Sequence, residues 1–145
     1  MRIIIQRVKK ASVTVNDNVV GAIERGVLVL VGFTHDDTLE TVTSMIHKVT
    51  HLRIFDDAFG VMNESLLDQG LSVLSISQFT LYADAKKGHR PSYIEAAKPQ
   101  HAQTLYDAFN QQLSAIVPVA TGVFGADMQI SAAFDGPVTI TLEKN

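Results

Sequence analysis

Gly26 is followed by Val27-Leu28-Val29-Leu30-Val31, five apolar residues in a row, three of them β-branched. Strict alternation would mark a strand with one wet face. An unbroken run marks a strand covered on both faces, as at the centre of a layered sheet. A second apolar run, Leu71 to Ile76, leads into Ser77-Gln78-Phe79-Thr80-Leu81-Tyr82-Ala83-Asp84. The spacing predicts one long strand over 71–82. Polar residues gather at its end, where a strand can present chemistry.

The remaining segments supply partners for these two strands. Residues 2–8 read as a strand, Ser12 to Val15 alternates as a half-buried one, and Val19 to Ile23 returns through a turn at Asn16-Asp17-Asn18. His35-Asp36-Asp37-Thr38 opens a helix. Asp37 and Glu40 have capping-box spacing, and Leu39, Val42, Ile46 and Val49 form its buried face. That helix is expected to end near His51, before a short strand at Arg53-Ile54-Phe55. A second helix follows Pro99, burying Leu105, Ala108, Phe109, Gln112 and Leu113. Residues 118–121, 127–134 and 138–142 read as strands, with Asp135-Gly136-Pro137 as a turn between the last two. Val138, Ile140 and Leu142 should face inward and Thr139, Thr141 and Glu143 outward. The expected fold is mixed α/β (α+β): a single domain over residues 1–145, with mixed β-sheets forming a barrel-like or layered core and two main helices packed outside.

At 145 residues the chain can bury about 70% of its unfolded surface without a staple. It contains no cysteine, which excludes disulfides, thiolate zinc sites and a cysteine nucleophile. The N-terminus is too short and polar for a signal peptide, and no apolar run approaches a membrane span, so a cytoplasmic location away from membranes is expected. The net charge of −3 is the wrong sign for binding polyanions by bulk charge. Any nucleic-acid contact must come from a local patch, and Lys86, Lys87, His89 and Arg90 form the one dense basic run. It is either a solvated face or a phosphate-binding loop.

On an extended chain Gln78, Thr80 and Tyr82 point one way; Ser77, Phe79 and Leu81 point the other. Phe79 would anchor in the core while Gln78 and Thr80 face a cleft; alternatively, these polar groups merely satisfy a strand end. Gly136-Pro137 is either a trans hairpin turn or a cis bond in a type VI turn. His47 and His51 have ligand spacing but lack the Glu of a zinc-protease helix, so no metal is expected there. His35, Asp36 and Asp37 are explained by a helix start. His89 and His101 lack the context of a Ser-His-Asp triad.

These residues resemble the D-aminoacyl-tRNA deacylases, also called D-tyrosyl-tRNA deacylases. Ser77-Gln78-Phe79-Thr80-Leu81 is similar to the family's first signature and Gly136-Pro137-Val138-Thr139 to its second. Similarity extends through Ile5 to Val8, Ala11 to Val15, Thr34 to Asp37, Leu52 to Phe55, Gly88 to Ser92 and Thr121 to Met128. The resemblance implies a homodimer with sites at its interface, D-aminoacyl-tRNA as substrate and no cofactor. It implies that Gly136 and Pro137, held by Arg7, form a cis turn that enters the other subunit's site as a chirality filter. It implies that Ser77, Gln78, Phe79 and Thr80 carry catalysis, and that Ala102, Phe124 and Met128 complete the pocket. The family usually has Asn two residues before the Gly; Phe134 stands there in this chain.

An aminoacyl ester is already activated, so hydrolysis needs a placed water and stabilisation of the oxyanion. Backbone N–H groups near Phe79 and Thr80 are candidate donors. Thr80 as nucleophile and the substrate's 2′-hydroxyl as assistant to water are the two alternatives. Thr80 has no evident base partner in the sequence, which favours the second. A filter that excludes L side chains would also admit glycyl esters. The competing classes are a non-catalytic RNA-binding or ligand-binding dimer and a general small-ester hydrolase.

Overall fold

The long first strand, β1 (Arg2–Val15), is the spine of the molecule. The computed structural model describes all residues, 1–145. β1 turns at Asn16 and Asp17, both at positive φ, into β2 (Asn18–Ile23). The apolar run becomes β3 (Gly26–Gly32), antiparallel to the first half of β1. Helix α1 (Leu39–His51) follows, then a small hairpin of β4 (Arg53–Asp56) and β5 (Met62–Ser65), and a single-turn helix α2 (Leu66–Gln69). β6 (Ser72–Ser77) runs parallel to β3, and β7 (Val119–Thr121) parallel to β6 after helix α3 (Pro99–Ser114). β8 (Gln129–Glu143) closes the chain by pairing along almost the whole of β1.

The main sheet has the order β2-β1-β3-β6-β7, with β8 on the far edge of β1. It curls until its ends nearly meet: a Cβ on Gly21 of β2 would lie 2.6 Å from the carbonyl oxygen of Thr121 on β7. The result is a nearly closed barrel. Its interior holds Val8, Ala11, Val13, Ile23, Leu28, Leu74 and Ile76. A larger cluster lies outside, where Val27, Val29 and Val31 meet α1 and α3. Alternate residues of β3 thus serve the two cores, which is why its apolar run is unbroken. In β1, Ile3 and Ile5 face the outer core while Val8, Ala11 and Val13 face the interior. That switch accompanies the register shifts near Arg7 and Lys9, because displacing the pairing changes the face that each side chain occupies.

Several expectations are corrected. Thr38, not Asp37, caps α1, in a reciprocal capping box with Thr41 rather than Glu40. Asp37 is turned inward at 4% exposure, where its carboxylate accepts from the Met1 ammonium (2.6 Å) and the Thr34 N–H (2.8 Å). Leu39 is 56% exposed, and Met45 takes its place on the buried face of α1. On α3 the buried residues are Ala102, Leu105, Tyr106, Phe109 and Leu113, so Tyr106 rather than Ala108 or Gln112 belongs to the buried face. The predicted strand over 71–82 stops at Ser77 and becomes a 3₁₀ turn at Phe79–Tyr82. β5 and α2 have no counterpart among the expected elements; Gly70 ends α2 in the left-handed conformation.

Residues 127–142 do not form two strands joined by a hairpin turn. β8 pairs β1 on both sides of Asp135–Val138: Val8 faces Phe134 and Gln6 faces Thr139. The segment between is a bulge, looped out of a strand that continues in the same direction. Its Gly136–Pro137 peptide is cis. The alternation of Val138, Ile140 and Leu142 against Thr139, Thr141 and Glu143 is as expected.

Candidate active site

Gln78 extends the sheet by one further bond, donating its N–H to the Val31 carbonyl at 2.8 Å. The chain then tightens: Leu81 N–H reaches the Gln78 carbonyl at 3.3 Å and Ala83 N–H the Thr80 carbonyl at 3.0 Å. Gly32 permits this, because a Cβ there would lie 2.8 Å from the Gln78 carbonyl oxygen and 3.0 Å from Leu81 Cβ. Arg2 braces the turn from β1, donating to the Leu81 carbonyl at 2.9 Å and covering the Tyr82 ring. In such a turn the first N–H groups, here Phe79 and Thr80, have no acceptor within the helix.

The turn forms one wall of a cavity of about 700 Å³. Ser77, Gln78 and Phe79 line it, with Ala102 from α3 and Phe124 and Met128 from the segment before β8. Six of the residues singled out from sequence therefore meet in one place. The lining is mainly apolar and holds no His, Asp or Glu. Beneath it, the Tyr106 hydroxyl donates to the Ser75 carbonyl at 2.8 Å, tying α3 to β6. Burial pushes the Tyr106 phenol above its usual range, opposed in part by hydrogen bonds to Ser75 and Asn110. Burial likewise raises Tyr82, reinforced by the negative charge of Asp37.

Phe79 is not a core anchor. It is 56% exposed on the cavity wall, edge-on to Tyr93 with ring centroids 5.1 Å apart. Gln78 and Thr80 meet through the turn rather than by strand alternation: Gln78 Nε2 donates to Thr80 Oγ1 at 2.5 Å. The Thr80 side chain is therefore paired with an amide, not a base, and lies outside the cavity lining.

Gly136, Pro137 and Arg7 lie outside the lining of the same chain's cavity. Arg7, 8% exposed, donates to the carbonyls of Ile54 (2.7 Å) and Asp135 (3.3 Å), so it clamps the bulge to β4. Lys86, Lys87, His89 and Arg90 project from an exposed loop whose base is pinned by reciprocal 2.8 Å bonds between Asp84 and Ser92. His47 and His51 stack at 4.0 Å on the outer face of α1, and His51 Nδ1 donates to the His47 carbonyl.

Sequence reasoning missed a further part of the lining, formed by Tyr93, Ala96, Ala97, Lys98 and Pro99. This segment is held over the cavity by Thr34 Oγ1 donating to Glu95 and His35 Nε2 to Ile94, each at 2.6 Å. No periodicity marks residues 93–98, which belong to no helix or named strand; the partners that hold them lie about sixty residues earlier.

Comparison with known proteins agrees with the motifs. A family model described as D-Tyr-tRNA(Tyr) deacylase matches residues 4–143. A solved structure described as "c-Myc DNA Unwinding Element Binding Protein" is similar over 100% of this chain and 99% of its own, at 38% identity and TM-score 0.95. Another, "Structural Analysis of a probable eukaryotic D-amino acid tRNA deacylase", is similar over 97% of each chain at 20% identity and TM-score 0.86, which shows a shared fold.

Proposed function

Since the chain belongs to the D-Tyr-tRNA(Tyr) deacylase family, and is thus a hydrolase acting on aminoacyl-tRNA, we propose that the cavity beside Ser77–Thr80 holds the D-aminoacyl end of the substrate. The observation that carries this reading is the turn after Gln78, which leaves the Phe79 and Thr80 N–H groups without acceptors in the turn beside an apolar cavity. Water attacks the ester carbonyl, and the two N–H groups stabilise the oxyanion that forms; one such donor typically contributes about 10²–10³ in rate. The attacking water gives up its proton through the substrate's 2′-hydroxyl, and the departing 3′-oxygen takes one up as its bond to carbon breaks. Free D-amino acid and tRNA result. The pairing of Thr80 with Gln78, and a lining without His, Asp or Glu, favour this route over a threonine nucleophile.

The reading extends to a homodimer. β8 is a 15-residue strand with no buried residue, paired on one edge only, and such an edge is a template for another chain. The Gly136–Pro137 bulge of one subunit then enters the cavity of the other. Its carbonyls hold the substrate's α-ammonium, an L side chain meets the backbone wall, and a D side chain points away from it. Glycyl-tRNA, with no side chain to reject, is also a substrate. Lys86, Lys87, His89 and Arg90 hold tRNA phosphates.

Deacylation of D-, L- and glycyl-tRNA by the purified protein tests this directly. Cleavage of the D and glycyl esters with L spared is expected; equal cleavage of D and L would overturn the filter. The name of the 38%-identical structure favours a second property beside hydrolysis, DNA binding, which titration of the purified protein with DNA tests.

A further inference from the structure

Lys98 is the one charged side chain among the residues lining the cavity. It is exposed and takes part in none of the ion pairs of the fold. The first turn of α3, which it precedes, carries no carboxylate to oppose it. Its backbone is fixed on both sides: Ala97 N–H donates to the Phe33 carbonyl, and the Lys98 carbonyl accepts from Ala102 N–H, each at 2.9 Å. A held main chain therefore places an exposed lysine, outside every ion pair of the fold, in the lining of an otherwise uncharged cavity.

We propose that Lys98 binds the phosphate of the substrate's 3′-terminal nucleotide and so sets the direction in which the aminoacyl ester enters the cavity. This rests on the deacylase reading of the same site. The substrate's reacting end carries two charges of opposite sign, the α-ammonium of the amino acid and the phosphate 5′ to the same ribose. A lysine cation repels the first and attracts the second. The amino acid must then lie away from Lys98, and the ribose-phosphate must lie against it. The contact forms at the solvent-exposed rim, so the ammonium keeps part of its hydration and needs no buried partner. It is separate from the basic loop of residues 86–90, which is pinned at Asp84 and Ser92 and contributes nothing to the cavity lining.

The test compares two substrates with the same ester, D-aminoacyl-tRNA and 3′-O-D-aminoacyl-adenosine, the second lacking any phosphate. Lys98→Ala should lower kcat/KM for the tRNA by about tenfold, the scale of one charge-assisted hydrogen bond, with the effect in KM. The adenosine ester should change by less than about twofold on the same scale, and Lys98→Arg should restore the tRNA reaction. An equal fall on both substrates, or no fall on the tRNA, overturns the proposal. A measurement on the unmodified protein guards against a misfolded variant: adenosine 5′-monophosphate should inhibit adenosine-ester cleavage more strongly than adenosine does, and equal inhibition overturns the proposal. If the unmodified protein cleaves neither ester, the deacylase reading itself fails, and this assignment with it.

Discussion

Arg7 meets Asp135 twice: its Nε donates to the Asp135 main-chain carbonyl at 3.3 Å and lies 3.2 Å from the Asp135 carboxylate. The same guanidinium donates through Nη1 to Ile54, so one side chain of β1 joins the β8 bulge to β4. The fork geometry matters, because a lysine ammonium cannot span two carbonyls in fixed directions.

Arg7→Lys should therefore loosen the bulge while retaining the charge. Under the proposed filter, D-aminoacyl-tRNA cleavage should fall by about tenfold and the D-to-L ratio should fall with it, with stability lowered by about 1–3 kcal/mol from the carbonyls left unpaired. Parallel deacylation assays and denaturant melts measure both. An unchanged D-to-L ratio in a folded variant would detach Arg7 from selectivity.

Gly136 and Thr80 should respond in opposite ways. Gly136 has φ of +122°, and an added Cβ would lie 2.9 Å from the Val138 N and Cγ2 and 3.3 Å from Arg7 Nη2. Gly136→Ala is thus strained in both conformation and space, and activity should drop by about tenfold or more. Thr80→Ala removes only the acceptor of the Gln78 amide and should retain activity within about threefold. Abolished turnover in a folded Thr80→Ala protein would restore the nucleophile reading.

Replacing Lys86, Lys87 and Arg90 together by Ala should weaken tRNA binding and reduce the slope of log K against log salt by about 0.7–0.9 for each phosphate no longer neutralised. Titrations at several salt concentrations read the slope directly. An unchanged slope would mark the loop as a solvated face.

Alkaline pH should destabilise the fold through Tyr82 and Tyr106, whose phenols are raised by burial. In the unfolded chain a tyrosine ionises near pH 10. Above that pH the unfolded form releases protons that the folded form retains. The stabilisation is therefore fully present below about pH 10 and is lost as pH rises through the folded pKa. Tyr106→Phe should flatten the fall in melting temperature between about pH 9 and 11, while lowering stability at neutral pH by about 0.5–1.5 kcal/mol for the missing bond to Ser75. Identical pH profiles for both proteins would exclude Tyr106 as a contributor.

Sedimentation at micromolar concentration should give a dimer. Phe134, 52% exposed on β8, whose outer edge has no partner strand, is the exposed large apolar side chain next to the bulge. Phe134→Lys should shift the protein toward monomer and reduce deacylation with it. A fully active monomer would defeat the shared-site proposal.

Patterning along the chain was sufficient for most elements. The run at Val27–Val31 identifies a strand between two cores, and the alternation at Val138–Leu142 identifies one with a wet face; each is a local record of which faces are covered. Of the motif Ser77–Thr80, the first three residues do share a cavity with Ala102, Phe124 and Met128, whereas Thr80 lies outside its lining. Tertiary contacts decided the rest. Asp37 has the spacing of a cap, but a buried ammonium 36 residues earlier draws it inward. Strand 71–82 ends at Ser77 because β3 offers its last acceptor to Gln78 at Val31. Asp135–Val138 carries turn residues, yet β1 pairs β8 on both sides of it, so the same four residues become a bulge rather than a reversal. Local composition records propensity and burial, whereas the partner of a backbone group or an ion is chosen by elements distant in the chain, and those partners exist only once the barrel has closed.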